Sequence, residues 1–147
     1  MLPTIIYRHP KENLKKCSLT GLETREELLF ATYPKLPSFA FSQYLLLTIE
    51  APILSEEDAS LGLFLVDGTW KYAQKIEKTL PPMQKRTLPS HFLTAYPRKQ
   101  THCLDPLRGL ASIEALYLAH LITKRPIKGL LDLYHWKTPF LEKNKLA

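Results

Sequence analysis

The chain of 147 residues has only two cysteines, Cys17 and Cys103, and they form no paired spacing. That excludes a disulfide scaffold and a zinc ribbon and leaves two ordinary reduced thiols. Glycine is scarce, five in all, and none lie in a Gly-x-x-x-x-Gly-Lys arrangement, so the phosphate-cradling loop of triphosphate hydrolases is excluded. No apolar run reaches the roughly eighteen residues of a membrane span. Met1 to Arg8 carries neither a basic leader nor a small-residue cleavage site, which makes a cytoplasmic location the expectation. The histidines, His9, His91, His102, His120 and His135, are scattered, and adjacent His102 and Cys103 are poorly spaced to share one ion. Neither a metal site nor a Cys/His nucleophile pair is therefore expected.

What the chain does have is charge of one sign. Twenty Lys plus Arg against fourteen Asp plus Glu leave a net charge of +6. Such a balance favours polyanionic partners through phosphate neutralisation and counterion release, with nucleic acid the prime case. At 45% hydrophobic residues the chain can close one core but not two ordinary domains. The expected organisation is a single α/β domain over 1–147, with an N-terminal lobe over about 1–60 and a C-terminal lobe over about 61–147.

Hydrophobic patterning predicts a first strand around Thr4 to Tyr7 and a turn from Cys17 to Gly21. Thr24 followed three residues later by Glu27 matches a helix-start box and predicts a short helix ending before Pro34. Tyr44 to Thr48 has strand length, and the acidic stretch from Ser55 to Asp58 suits a loop or short helix. Leu61 to Val66 reads as a buried parallel strand, then a tight turn at Asp67 to Trp70 and a helix over Lys71 to Thr79. Lys85 to Leu88 is a brief strand, Pro89 to Gly109 is irregular, and Ser112 to Ile122 is a strong helix. Further helices are expected from about Pro126 through Leu133 and around Phe140 and Leu141.

Three stretches have residues suited to chemistry. Asp67 stands at the carboxyl end of a strand, where ligands of open α/β sheets bind, and Gly68 permits close approach. The same residues also make an ordinary capping turn, with Thr69 at the helix start. Ser112 and Glu114 sit in the first turn of a helix, near free backbone N–H groups suited to a ligand carboxylate; a plain N-cap is the alternative. From Lys85 to Lys99, cations are mixed with His91, Phe92 and Tyr96, a mixture suited to phosphate contact and base stacking, though on the residues alone a solvated loop over buried aromatics is the stronger reading.

Asp67-Gly68-Thr69-Trp70 resembles the signature of the DTW-domain superfamily of aminocarboxypropyltransferases. His9 to Ser18, Leu45 to Thr48 with Leu54 to Asp58, Arg86 to Pro89, Leu110 to Leu116, and the tail Tyr134 to Asn144 are similar, in the same order, to the branch that modifies small-subunit ribosomal RNA. The likeness spans nearly the whole chain. Two positions depart from that branch. Gly68-Thr69, the form found in tRNA-modifying relatives, stands where that branch more often has Cys-Ser, and Tyr96-Pro97 stands where it has Asn-Pro.

The resemblance implies a SPOUT-like α/β fold, a parallel sheet flanked by helices with a C-terminal trefoil knot. It implies S-adenosylmethionine as cofactor, structured RNA as partner with no membrane and no metal, and transfer of a 3-amino-3-carboxypropyl group to a uridine or pseudouridine-type base. Carried over by position, Trp70 and Ala73 shape the pocket beside the sulfonium methyl, Ser18 and Ser112 hold the amino-acid arm, Leu88 contacts the ribose region and Leu46 the adenine. Asp67 orients or deprotonates the attacking nitrogen. Lys11, Lys15, Lys16, Arg86, Arg98, Lys99 and Arg108 surround these motifs and are the expected phosphate contacts. Three alternatives stand beside this reading: the same transfer to a tRNA uridine, a SPOUT-like methyl transfer, and a non-catalytic RNA-binding assembly factor.

Overall fold

The computed structural model describes residues 2–11, 19–96 and 110–146. Five strands, β1 (Thr4–Arg8), β2 (Leu28–Thr32), β3 (Tyr44–Leu47), β4 (Gly62–Asp67) and β5 (Gln84–Arg86), form one sheet in the order β2-β1-β4-β3-β5. Every pairing is parallel. β1, β3 and β4 are buried along their whole length, which explains their continuous rather than alternating apolar sequence. Because β4 lies between β1 and β3, strands from before and after residue 60 interleave in the same sheet.

Side chains of successive strand residues point to opposite faces, and each face has its own helix. Phe64 and Val66 meet Ala73 and Ile76 of α1 (Trp70–Glu77) on one face. Leu63 and Leu65 meet Ile113, Leu116 and their neighbours of α2 (Ser112–Ile122) on the other. α2 is buried nearly all round, so its apolar residues do not keep to one stripe. A third helix, α3 (Lys137–Lys143), places Phe140 at 0% exposure in the α2-side core. Each fully buried Leu, Ile or Phe contributes roughly 2 kcal/mol. No helix among the described residues is long and apolar enough to cross a membrane.

Two sequence expectations are overturned. Residues following Thr24 do not form a helix: Leu28–Thr32 is an edge strand paired with β1. The Glu27 carboxylate binds Arg25 instead of closing a capping box, and Leu28-Leu-Phe-Ala-Thr gains more as a sheet edge than as one isolated helical turn. The segment from Pro126 to Leu133 is a series of turns. Gly129 within it has φ +79°, a left-handed conformation that ends any helix there.

Candidate active site at the carboxyl edge of the sheet

Residues far apart in sequence meet where the strands end. Arg8 is the last residue of β1 and Asp67 the last of β4, and the parallel register sets them side by side. Arg8 Nε donates to Asp67 Oδ2 at 3.1 Å, and the Asp67 carboxylate is 2% exposed. Ser112, the first residue of α2, donates its hydroxyl to Asp67 Oδ1 at 2.8 Å. Ser112 is thus not the cap of its helix. Ala111 occupies the N-cap position, and Glu114 reaches back to accept from the Ala111 N–H at 2.8 Å. The Ser112 hydroxyl is left to face the sheet end.

Arg8 also reaches Glu23 at 3.4 Å and lies over the Phe30 ring at 4.9 Å. Burial pushes the Glu23 carboxyl up, but the backbone N–H groups of Glu23 and Gly21 and the Arg8 guanidinium outweigh it and hold it below its ordinary value. The result is a carboxylate, guanidinium and hydroxyl network in contact with a helix amino end. Charge-assisted hydrogen bonds of this kind are roughly twice as strong as neutral ones and hold their members in fixed geometry.

Glu114, 0% exposed, is a second organising group. It accepts from the Thr94 hydroxyl at 2.6 Å, Ala95 N–H at 2.8 Å and the Tyr134 hydroxyl at 2.9 Å as well as from Ala111. One carboxylate therefore ties together the start of α2, the segment at 94–95 and the turn before α3. In the sequence Glu114 showed only as an acid in the first turn of a helix, which conceals the other contacts.

The other residues expected at a site fall into three groups. Leu88 lies two residues past the carboxyl end of β5 and is 4% exposed in the α2-side core. Leu46, near the carboxyl end of β3, and Ala73, on α1, are each 2% exposed in the apolar cluster on the opposite face. Trp70 opens α1 two residues after Gly68. Thr69 holds the N-cap position without a side-chain hydrogen bond. Ser18, Lys15, Lys16, Arg98, Lys99 and Arg108 lie outside the described residues.

Of the expected phosphate contacts, Lys11 is exposed, whereas Arg86 Nε is engaged by Asp58 at 3.2 Å, bracing β5 against the 3-10 turn Glu56–Ser60. Phe92 and Tyr96 pack on the core, Tyr96 edge-on to Trp136 at 5.2 Å, so they are not free stacking surfaces. The parallel ring stack is elsewhere. His9, just past β1, lies 3.8 Å from Tyr72 of α1 with the rings 6° from coplanar, and 6.0 Å from Tyr33 at 14°. Burial, then the charges of Lys11 and Lys75, lower the His9 pKa from its ordinary value. No group of three or more His, Cys, Asp or Glu able to hold a metal occurs among the described residues.

Against known proteins, no family model and no curated protein matches the chain. Among solved structures it resembles the SAM-dependent rRNA:acp-transferase Tsr3 from Vulcanisaeta distributa, with a TM-score of 0.71 and 24% identity. The match covers 99% of this chain and 80% of that one. The two share a fold.

Proposed function

We propose that the chain is an S-adenosylmethionine-dependent aminocarboxypropyltransferase acting on ribosomal RNA, a member of the DTW-domain superfamily with a SPOUT-like knotted C-terminal part. The observation that carries the reading is the convergence of Asp67, Ser112 and Arg8 on the carboxyl edge of the sheet beside the amino end of α2. The shared fold with an enzyme described as a SAM-dependent rRNA:acp-transferase supports it.

The residues present suit that cofactor. The amino end of α2 carries the positive end of the helix dipole, suited to a carboxylate, and the Ser112 oxygen, donating to Asp67, keeps lone pairs for an ammonium. By position, Leu46 is assigned to the adenine, Leu88 to the ribose region, Trp70 and Ala73 to the sulfonium methyl and Ser18 to the amino-acid arm; Leu46 and Ala73 pack on one face of the sheet and Leu88 on the other. When bound, S-adenosylmethionine supplies an electrophilic methylene whose C–S bond breaks as a base nitrogen attacks, leaving neutral 5′-methylthioadenosine.

Asp67 orients the attacking nitrogen. Its two oxygens accept from Arg8 and from Ser112, which fixes the direction of the carboxylate that meets the N–H of a uridine-type base. The imide proton is acidic enough that full general-base assistance, typically about 10²–10⁴-fold, is not required. Selectivity for the amino-acid arm over the methyl is then a matter of positioning. Lys11, Lys15, Lys16, Arg98, Lys99 and Arg108 meet the RNA phosphates, with Arg86 contributing from its brace on Asp58. A cytoplasmic location follows from a ribosomal substrate.

Incubating the purified chain with carboxyl-labelled S-adenosylmethionine and total RNA tests the reading. Label is expected in ribosomal RNA. Label confined to tRNA moves the substrate, in keeping with Gly68-Thr69, and no label in any RNA overturns the transfer.

A further inference from the structure

Aromatic contacts inside this protein are mostly edge-on or tilted, as ring quadrupoles prefer. Tyr7 meets Tyr33 at 70° and Phe64 at 65°, and Phe39 meets Tyr44 at 80°. Among the described residues only the contacts of His9 are stacked, at 6° and 14°. The series Tyr33, His9, Tyr72 stands at the carboxyl edge of β1, with Tyr72 on the first turn of α1, five residues after Asp67. His9 is buried, while Tyr33 and Tyr72, the outer rings, are half-exposed.

The backbone makes room for this stack. A Cβ added at Gly68 would lie 3.3 Å from the His9 Cβ, a tight approach, and 3.6 Å from that of Tyr72, an ordinary contact, so residue 68 lies close against both residues of the stack. Around the stack the charge is positive. Lys11 Nζ lies 5.9 Å from the Tyr72 ring centre, within cation–π reach, and Lys75 is exposed one turn further along α1. Burial and these two lysines also favour the uncharged imidazole, which leaves the cations on the lysines.

We propose that the Tyr33–His9–Tyr72 stack is a nucleobase platform, on which Tyr72 receives an RNA base flanking the target while Lys11 and Lys75 meet the adjoining phosphates. The substrate class rests on the function proposed above; the stack itself rests on ring geometry. Stacked rings take any base, so the platform sets the path of the strand rather than its sequence. It lies beside Asp67, whose backbone oxygen accepts from the His9 N–H at 2.9 Å, so a base on Tyr72 holds its neighbour close to the site.

Two measurements on the full chain decide it. In the first, single-stranded RNA carrying 5-iodouridine is photocrosslinked to the unaltered protein and the adducts are mapped by mass spectrometry. An adduct on Tyr72 or Tyr33 is expected, and adducts only elsewhere overturn the platform. In the second, RNA affinity is read by fluorescence anisotropy across salt concentrations. Tyr72→Ala should weaken binding about tenfold with an unchanged salt slope, and Tyr72→Phe should bind as the unaltered chain does. Tyr72→Leu restoring full affinity would reduce Tyr72 to filler and overturn the proposal, as would Tyr72→Ala binding normally. If RNA binding depends on Tyr72 but no label is transferred, the platform stands and the transferase reading falls. If label is transferred and Tyr72→Ala keeps full affinity, the platform falls alone. A chain that binds no RNA removes both.

Discussion

At the carboxyl ends of the strands Arg8 is held by Asp67 and Glu23, while at the amino ends Arg125, 4% exposed, leaves Nε and Nη1 without a hydrogen-bond partner. The histidines differ as well. His9 is stacked between rings near solvent, whereas His120, 1% exposed, is clamped between the Thr4 hydroxyl at 2.8 Å and the Pro126 carbonyl at 2.9 Å. α2 spans both regions, from Ser112 against Asp67 to His120 against Thr4. Charges at the carboxyl edge are countered by one another. Those at the amino edge are kept neutral or simply buried. The difference sets a paired polar network at one end against contacts that join β1 to α2 at the other.

Breaking the carboxyl-edge network should have the largest effect. Asp67→Ala leaves the Arg8 guanidinium buried beside a lost carboxylate, and unfolding in urea should show a loss of roughly 3 to 5 kcal/mol. Asp67→Asn, which keeps the shape, should lose less.

Acid should act next, and at the other end. Burial, ahead of the weaker opposing pull of the Pro126 carbonyl, depresses the His120 pKa to about 4. Between the ordinary histidine value near 6.5 and that figure, the unfolded chain takes up a proton that the folded chain refuses. Stability is therefore whole above about pH 6.5 and falls by about 3 kcal/mol as pH drops through the window, with no further loss from this group below it. His120→Gln should flatten that part of the curve, whatever its own stability. A slope unchanged by the substitution would mean that other groups carry it.

The smallest effect should have the opposite sign. Arg125→Met removes a shielded cation with unpartnered nitrogens and should raise the unfolding free energy by about 1 kcal/mol. A loss of several kcal/mol would instead reveal a partner for the guanidinium and erase the contrast between the two ends.

Much of the frame was readable from the chain because its signals were local. The Leu61 to Val66 run, the turn at Gly68 and the periodic stretch after Trp70 became β4, the site turn and α1. Thr24 to Glu27 misled because a capping box is compatible with a turn leading into a strand, and the pairing of Leu28–Thr32 with β1 is a tertiary choice. The site was legible only in part. Asp67 and Ser112 could be picked from their positions at a strand end and a helix start. Nothing local announced that they touch, that Arg8 completes them, or that His9 and Tyr72 stack, since those contacts span dozens of residues and depend on strand order. Phe92 and Tyr96 pack on the core, as the reading of their segment as a loop over buried aromatics had it, rather than as stacking surfaces.

The most direct test of the account is which bond of the sulfonium breaks. Chromatography of the small-molecule product after incubation with S-adenosylmethionine and ribosomal RNA should find 5′-methylthioadenosine, in amounts equal to the modified base. S-adenosylhomocysteine in its place would mean that the methyl arm, not the amino-acid arm, faces the nucleotide, and would contradict the assignment of Trp70, Ala73 and Ser112.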